Sequence, residues 1–128
     1  MSGILYVVAT PIGNLGDMTH RAIHILSHVN LIASEDTRVT SRLLNHFDIK
    51  NKYISYHDKN EIYRSVELVN LLCNGDSIAL VSDAGTPCIS DPGYRVVNLA
   101  RQSGVEVVSI PGPSALTAAL SISGLPTD

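Results

Sequence analysis

Residues 77–110 read SIALVSDAGTPCISDPGYRVVNLARQSGVEVVSI, and the fold is read outward from this stretch. Ser77–Val81 is a short run led by Ile, Leu and Val with no polar alternation, as expected of a strand buried on both faces of a parallel sheet. Asp91 stands where a helix N-cap is needed, Pro92 suits the first helical position, and Gly104 is placed to end the helix. Val105–Ile110 is a second apolar, β-rich run. Strand, helix and strand in close succession predict a parallel crossover unit.

The same alternation extends towards the N-terminus. Ile4–Ala9, Leu31–Ser34 and Tyr53–Tyr56 are the other candidate strands. Asp17 or Thr19 opens a helix carrying Ala22, Ile23, Leu26 and Val29, and Val39, Leu43 and Phe47 mark another near 37–47. Ile62, Val66, Val69 and Cys73 recur at steps of four, three and four, which predicts one apolar stripe on a third helix. Asn60 is placed to cap that helix and Gly75 to close it. Pro113 starts a last, Ala- and Leu-rich helix that ends at Gly124. Strand followed by helix, repeated five times, predicts an α/β domain: a mostly parallel five-stranded sheet with helices on both faces.

Composition narrows the class. A chain of 128 residues suits one domain. Nine Lys and Arg against twelve Asp and Glu give a net charge of −3, which offers no support for a free-standing nucleic-acid binder. The apolar runs are short and broken, so no membrane-spanning helix is expected. The opening MSGILYVVATP lacks the charged start of a signal peptide. Cys73 and Cys88 match no zinc or redox spacing. The expectation is a soluble, cytoplasmic protein with two structural thiols, and a disulfide scaffold is excluded.

In a parallel sheet the strand-to-helix loops share the carboxyl edge, where ligands bind. Those loops are Ala9–Asp17, Ser34–Arg38, Tyr56–Glu61, Ser82–Pro87 and Pro111–Ala115, and each holds Gly, Pro or acidic residues beyond the needs of a turn. One composite site is therefore expected. Lys50, Lys52 and Lys59 lie around a single loop and no phosphate-cradling G-x-x-x-x-G-K-[ST] exists, which argues against a nucleotide triphosphatase. Gly13 and Gly16 form a partial dinucleotide fingerprint, with Glu35 and Asp36 where a ribose-binding acid would follow. Backbone amides, small residues and carboxylates suit a neutral or cationic nucleoside-like ligand better than a polyphosphate.

Ser82-Asp-Ala-Gly-Thr-Pro-Cys-Ile-Ser-Asp-Pro-Gly93 resembles the signature of the ribosomal RNA small subunit methyltransferase I family, within the tetrapyrrole methylase superfamily. Ala9–Asp17, Ser34–Arg38, His57–Glu61 and Pro111–Ser114 resemble further motifs of that family, in the same order. The resemblance implies that residues 1–128 are a tetrapyrrole-methylase-like N-terminal α/β domain, with a second, donor-closing domain outside this chain. It implies S-adenosylmethionine (SAM) as methyl donor, a cytidine ribose 2′-hydroxyl in the decoding region of 16S rRNA as acceptor, no metal, and a homodimer. Neither DNA nor a membrane is among the implied partners.

By the same resemblance the donor-binding residues are Ile12, Val81, Ser82, Asp83, Thr86, Ser114 and Ala115, and the acceptor-side residues are Glu35, Asp36, Arg38 and His57. Physical chemistry leaves several roles open. Asp83 serves as a hydrogen-bond acceptor and counter-charge for the donor, or as the cap of its turn. Arg38 suits a phosphate, or an ion pair with Glu35 or Asp36. Either acid could orient the 2′-hydroxyl or take its proton, and Asp36 could instead cap a helix. His57 reads as a base, an RNA contact or a structural residue. Asn14 is a candidate polar contact, with Pro11 and Gly13 shaping its loop. His20, His24 and His28 recur every four residues, a spacing that metal sites use, but no carboxylate joins them and a solvent-facing stripe is expected. Charge for RNA binding is expected from a second domain or a dimeric partner. The alternatives are a tetrapyrrole or protein methylase, or a non-catalytic half-site.

Overall fold

The computed structural model describes residues 1–89 and 92–127. Five strands form one parallel sheet: β1 (Ile4–Val8), β2 (Leu31–Ser34), β3 (Tyr53–Ser55), β4 (Ile78–Val81) and β5 (Glu106–Ile110), in the spatial order β3-β2-β4-β1-β5. Five helices alternate with them: α1 (His20–His28), α2 (Thr37–His46), α3 (Glu61–Cys73), α4 (Tyr94–Gln102) and α5 (Ala115–Ser123). The predicted class holds, and each predicted strand is found to within one residue at either end.

The order follows from burial. All four residues of β4 are buried, because β2 and β1 flank it and helices cover both faces. Leu26 of α1 and Leu44 of α2 share one core cluster with Val8, Ile32 and Val81. Leu68 and Leu72 of α3, with Val96 and Ala100 of α4, share the other with Leu5, Ala33 and Leu80. Side chains alternate across a strand, so the odd and even positions of β4 feed opposite clusters.

Three helices differ from expectation. On α3 the stripe of Ile62, Val66 and Cys73 faces outwards, and only Val69 of the four is buried. The buried face carries Glu61, Ser65, Leu68 and Leu72. Two polar residues are tolerated there because the fully buried Tyr56 hydroxyl meets Glu61 Oε2 at 3.2 Å and Ser65 Oγ at 3.0 Å. Asn60 occupies the N-cap position of α3 but does not cap it; its carboxamide accepts from His57 N–H and donates to Ser55. Helix α4 starts at Tyr94 rather than at Pro92. Gly93 has φ +139°, outside the helical range, so Pro92 before it does not join the helix. The expected cap Asp91 lies outside the described residues. Helix α5 starts after Ser114, which caps it, one residue beyond Pro113.

Every residue of α5 is exposed. Among the described residues no helix is long and apolar enough to cross a membrane.

Candidate functional site

The loop after β4 is the hub of the carboxyl edge, because β4 lies between β2 and β1. It is tied to its neighbours by two different chemistries. Towards β2 the ties are carboxylates: Asp83 Oδ1 accepts Asp36 N–H at 3.0 Å, and Glu35 Oε1 accepts Asp83 N–H at 3.4 Å. Towards β1 the tie is backbone, with Thr10 and Gly85 exchanging both N–H···O bonds at 3.0 Å. Towards β5 the Thr86 hydroxyl donates to Pro113 O at 3.0 Å.

Asp36 fulfils both of its structural readings. It caps α2 by accepting Arg38 N–H at 2.9 Å, and it pairs with the Arg38 guanidinium at 3.2 and 3.0 Å. That pairing holds its carboxyl below the usual range. Glu35 moves the opposite way: partial burial, then the neighbouring Asp83 charge, raise it above 4.5. The Arg38 side chain remains 82% exposed despite its partner.

A cavity of about 370 Å³ opens between the β1 loop, α2 and the β4 loop. Thr10, Asn14, Val39, Leu43, Ser82 and Asp83 are among its lining residues. The Thr10 hydroxyl is buried and has no hydrogen-bond partner among the described residues. Arg42 and His46 complete the α2 wall. The sequence reading passed over both, although Arg38, Arg42 and His46 fall at four-residue steps and so share one side of the helix.

The other expected residues divide. Ile12 lies beside Gly85, where a Cβ would come within 3.2 Å of Ile12 Cγ2 and 3.7 Å of Pro113 O, so backbone and side chain approach closely there. Ser82 is half-buried, and its hydroxyl bonds Ala84 O at 3.2 Å. The Val81 side chain is buried in the core, leaving only its backbone at the edge. The Ser114 hydroxyl caps α5 by accepting Thr117 N–H, and Ala115 follows it, exposed. His57 is absent from the cavity wall; its Nδ1 accepts Lys59 N–H at 3.2 Å within its own loop. His20, His24 and His28 are exposed, with the last two rings stacked at 4.2 Å. Among the described residues no group of three or more His, Cys, Asp or Glu is arranged to hold a metal ion.

The family model described as Tetrapyrrole (Corrin/Porphyrin) Methylases matches residues 4–128. The chain belongs to the tetrapyrrole methylase family. Two similar relatives share one name, "Ribosomal RNA small subunit methyltransferase I". The protein from Vibrio cholerae is 59% identical over 98% of this chain and 43% of its own length, and that from Synechocystis is 60% identical over 98% and 45%. The chain thus spans under half the length of these relatives. Among solved structures of the same fold are uroporphyrin-III-C-methyltransferase from Thermus thermophilus and diphthine synthase. The first has a TM-score of 0.72 at 21% identity, covering 98% of this chain and 54% of that one. The second has a TM-score of 0.73 at 16% identity, covering 98% and 50%.

Proposed function

We propose that this chain supplies the carboxyl-edge site of a SAM-dependent methyltransferase that modifies a cytidine ribose 2′-hydroxyl in the decoding region of 16S rRNA. The observation that carries the reading is the interlocked set of Glu35, Asp36 and Asp83 beside a cavity, in a chain 59–60% identical to relatives named for ribosomal RNA methylation. The 16S rRNA within the small subunit and a second copy of the chain are its partners in this reading.

The residues fit a sulfonium nucleoside. Three carboxylates, Glu35, Asp36 and Asp83, meet at this edge against the guanidiniums of Arg38 and Arg42, and the remaining negative charge favours a cation. Gly85, at φ +80° and with Ile12 and Pro113 against it, lets the β1, β4 and β5 loops pack closely around this edge. When bound, SAM supplies an already activated methyl group with a neutral leaving group. The protein's task is then to position the two reactants and to manage one proton.

Glu35 is the better proton acceptor of the two adjacent acids. Its carboxyl is raised by burial, whereas that of Asp36 is held low by Arg38 and committed to the α2 cap. A base of higher pKa takes a hydroxyl proton more readily. Asp83 orients Glu35 and Asp36 through the backbone bonds described above.

The test is to incubate the full-length polypeptide with SAM and small ribosomal subunits from cells lacking the activity, and then to map ribose 2′-O-methylation. A new methyl on a decoding-region cytidine is the expected result. Donor binding without any transfer to RNA would overturn the RNA reading, and the tetrapyrrole, protein and non-catalytic alternatives would then be assayed.

A further inference from the structure

The cavity holds features that neither the donor nor the acceptor assignment uses. Arg42 and His46 lie one and two turns beyond Arg38 on α2, and both line the cavity. Arg38 is already paired with Asp36, whereas Arg42 forms no ion pair among the described residues. The apolar wall comes from Pro11, Leu15, Val39 and Leu43. Asn14 uses its Oδ1 to accept Gly16 N–H at 2.8 Å, and among the described residues its NH₂ donates to no partner. The buried Thr10 hydroxyl also lacks a partner among the described residues.

We propose that this cavity receives one unstacked nucleotide of an RNA acceptor, resting on the RNA reading above. The apolar wall takes the face of the base, and the Asn14 amide donates to an acceptor on its edge. Arg42, with His46 beside it, pairs a flanking phosphate. Sequence-specific RNA recognition works on splayed-out bases of this kind, held by stacking and edge hydrogen bonds. The volume of about 370 Å³ falls within the range of ligand pockets. A planar guanidinium on a rigid helix is the side chain best matched to a phosphate. The site also supplies positive charge locally in a chain of net charge −3, so that the phosphate contact does not depend wholly on another domain.

The experiment measures two ligands on the full-length polypeptide: a short fluorescein-labelled single-stranded RNA containing one cytidine, by anisotropy against salt, and SAM, by calorimetry. Arg42→Gln is expected to weaken RNA binding about tenfold and to lower the salt slope by about 0.7, the loss of one single-strand phosphate contact. SAM affinity stays unchanged, KM for RNA rises, and kcat at saturating RNA holds. Arg42→Lys keeps the charge and therefore the slope. Arg101→Gln, an exposed site on α4 across the sheet, is the control and moves neither.

RNA affinity within twofold of the parent for Arg42→Gln, with its slope intact, overturns the proposal while leaving RNA methylation standing. A parallel fall in SAM affinity overturns it too, by assigning the cavity to the donor. A parent protein that neither binds nor methylates RNA removes the RNA reading and this one together.

Discussion

Glu35 and Asp36 are neighbours in sequence, yet their surroundings push their carboxyls in opposite directions. For Glu35 the folded value exceeds the unfolded one, so the folded state holds the proton more tightly. Its contribution to stability is present below pH 4.5 and is lost as pH rises through the folded value. Glu35→Gln removes that loss and keeps an oxygen for Asp83 N–H. The variant should melt with the parent below pH 4 and above it at neutral pH, by a small margin that shrinks with salt; thermal melts across pH check this. Asp36 behaves in the reverse sense. Its ties to Arg38 stabilise the fold above pH 3.8 and are lost on acidification, so Asp36→Asn should lower the melting temperature only above that pH.

Two other residues carry stability rather than chemistry. Tyr56 is wholly buried, and burial pushes its phenol up to about 12. Its hydroxyl accepts Val96 N–H at 3.2 Å as well as meeting Glu61 and Ser65. Tyr56→Phe strands those groups in the interior and should cost ~1–3 kcal/mol in denaturant titrations. Gly93 has φ +139°, and a Cβ there would collide with Cys88 Sγ. Gly93→Ala should destabilise by more than 1 kcal/mol, roughly the scale of backbone strain with a steric clash added.

At the scale of elements, α3 separates what a pattern of apolar residues can and cannot show. The stripe through Ile62 and Val66 was legible and faces water, with Ile62 69% exposed. The face that packs was illegible, because Glu61 and Ser65 are polar and their justification, Tyr56, comes from β3's end. Ile62→Lys or Val66→Lys should leave stability within ~0.5 kcal/mol. Leu68→Ala on the buried face should cost ~2–5 kcal/mol. Equal losses from the two faces would contradict this packing. Helix α2 repeats the lesson: Thr40 and Leu44 are buried, while Val39 and Leu43, which had marked the helix, are half-buried and line the cavity.

At the scale of the whole molecule, the sheet was legible because unbroken Val, Ile and Leu runs between helix-period segments leave few alternatives to a parallel α/β layer. That ligand chemistry gathers at the carboxyl edge follows from connectivity alone. The bonds that organise the edge were not legible, since Asp36–Asp83 and Thr86–Pro113 join residues far apart in the chain. The same topology grades local stability. Strand β4, buried throughout, should exchange its amide hydrogens only on global unfolding, whereas α5, exposed throughout, should exchange early in the 128-residue chain. Hydrogen exchange read segment by segment checks both.

Strand order also has a consequence for how the molecule is made. Ile4–Val8 is synthesised first, but its two sheet partners are β4 and β5, which reach residues 81 and 110. At translation speeds of ~5–20 residues per second, the first strand waits roughly 4–15 seconds for its earlier neighbour. By contrast, β2 and β3 pair with each other within a few tens of residues. The nascent chain therefore carries an apolar, unpaired ribbon until residue 81 has emerged, when β4 closes the centre of the sheet, and the β5 edge beside β1 is the last part to close.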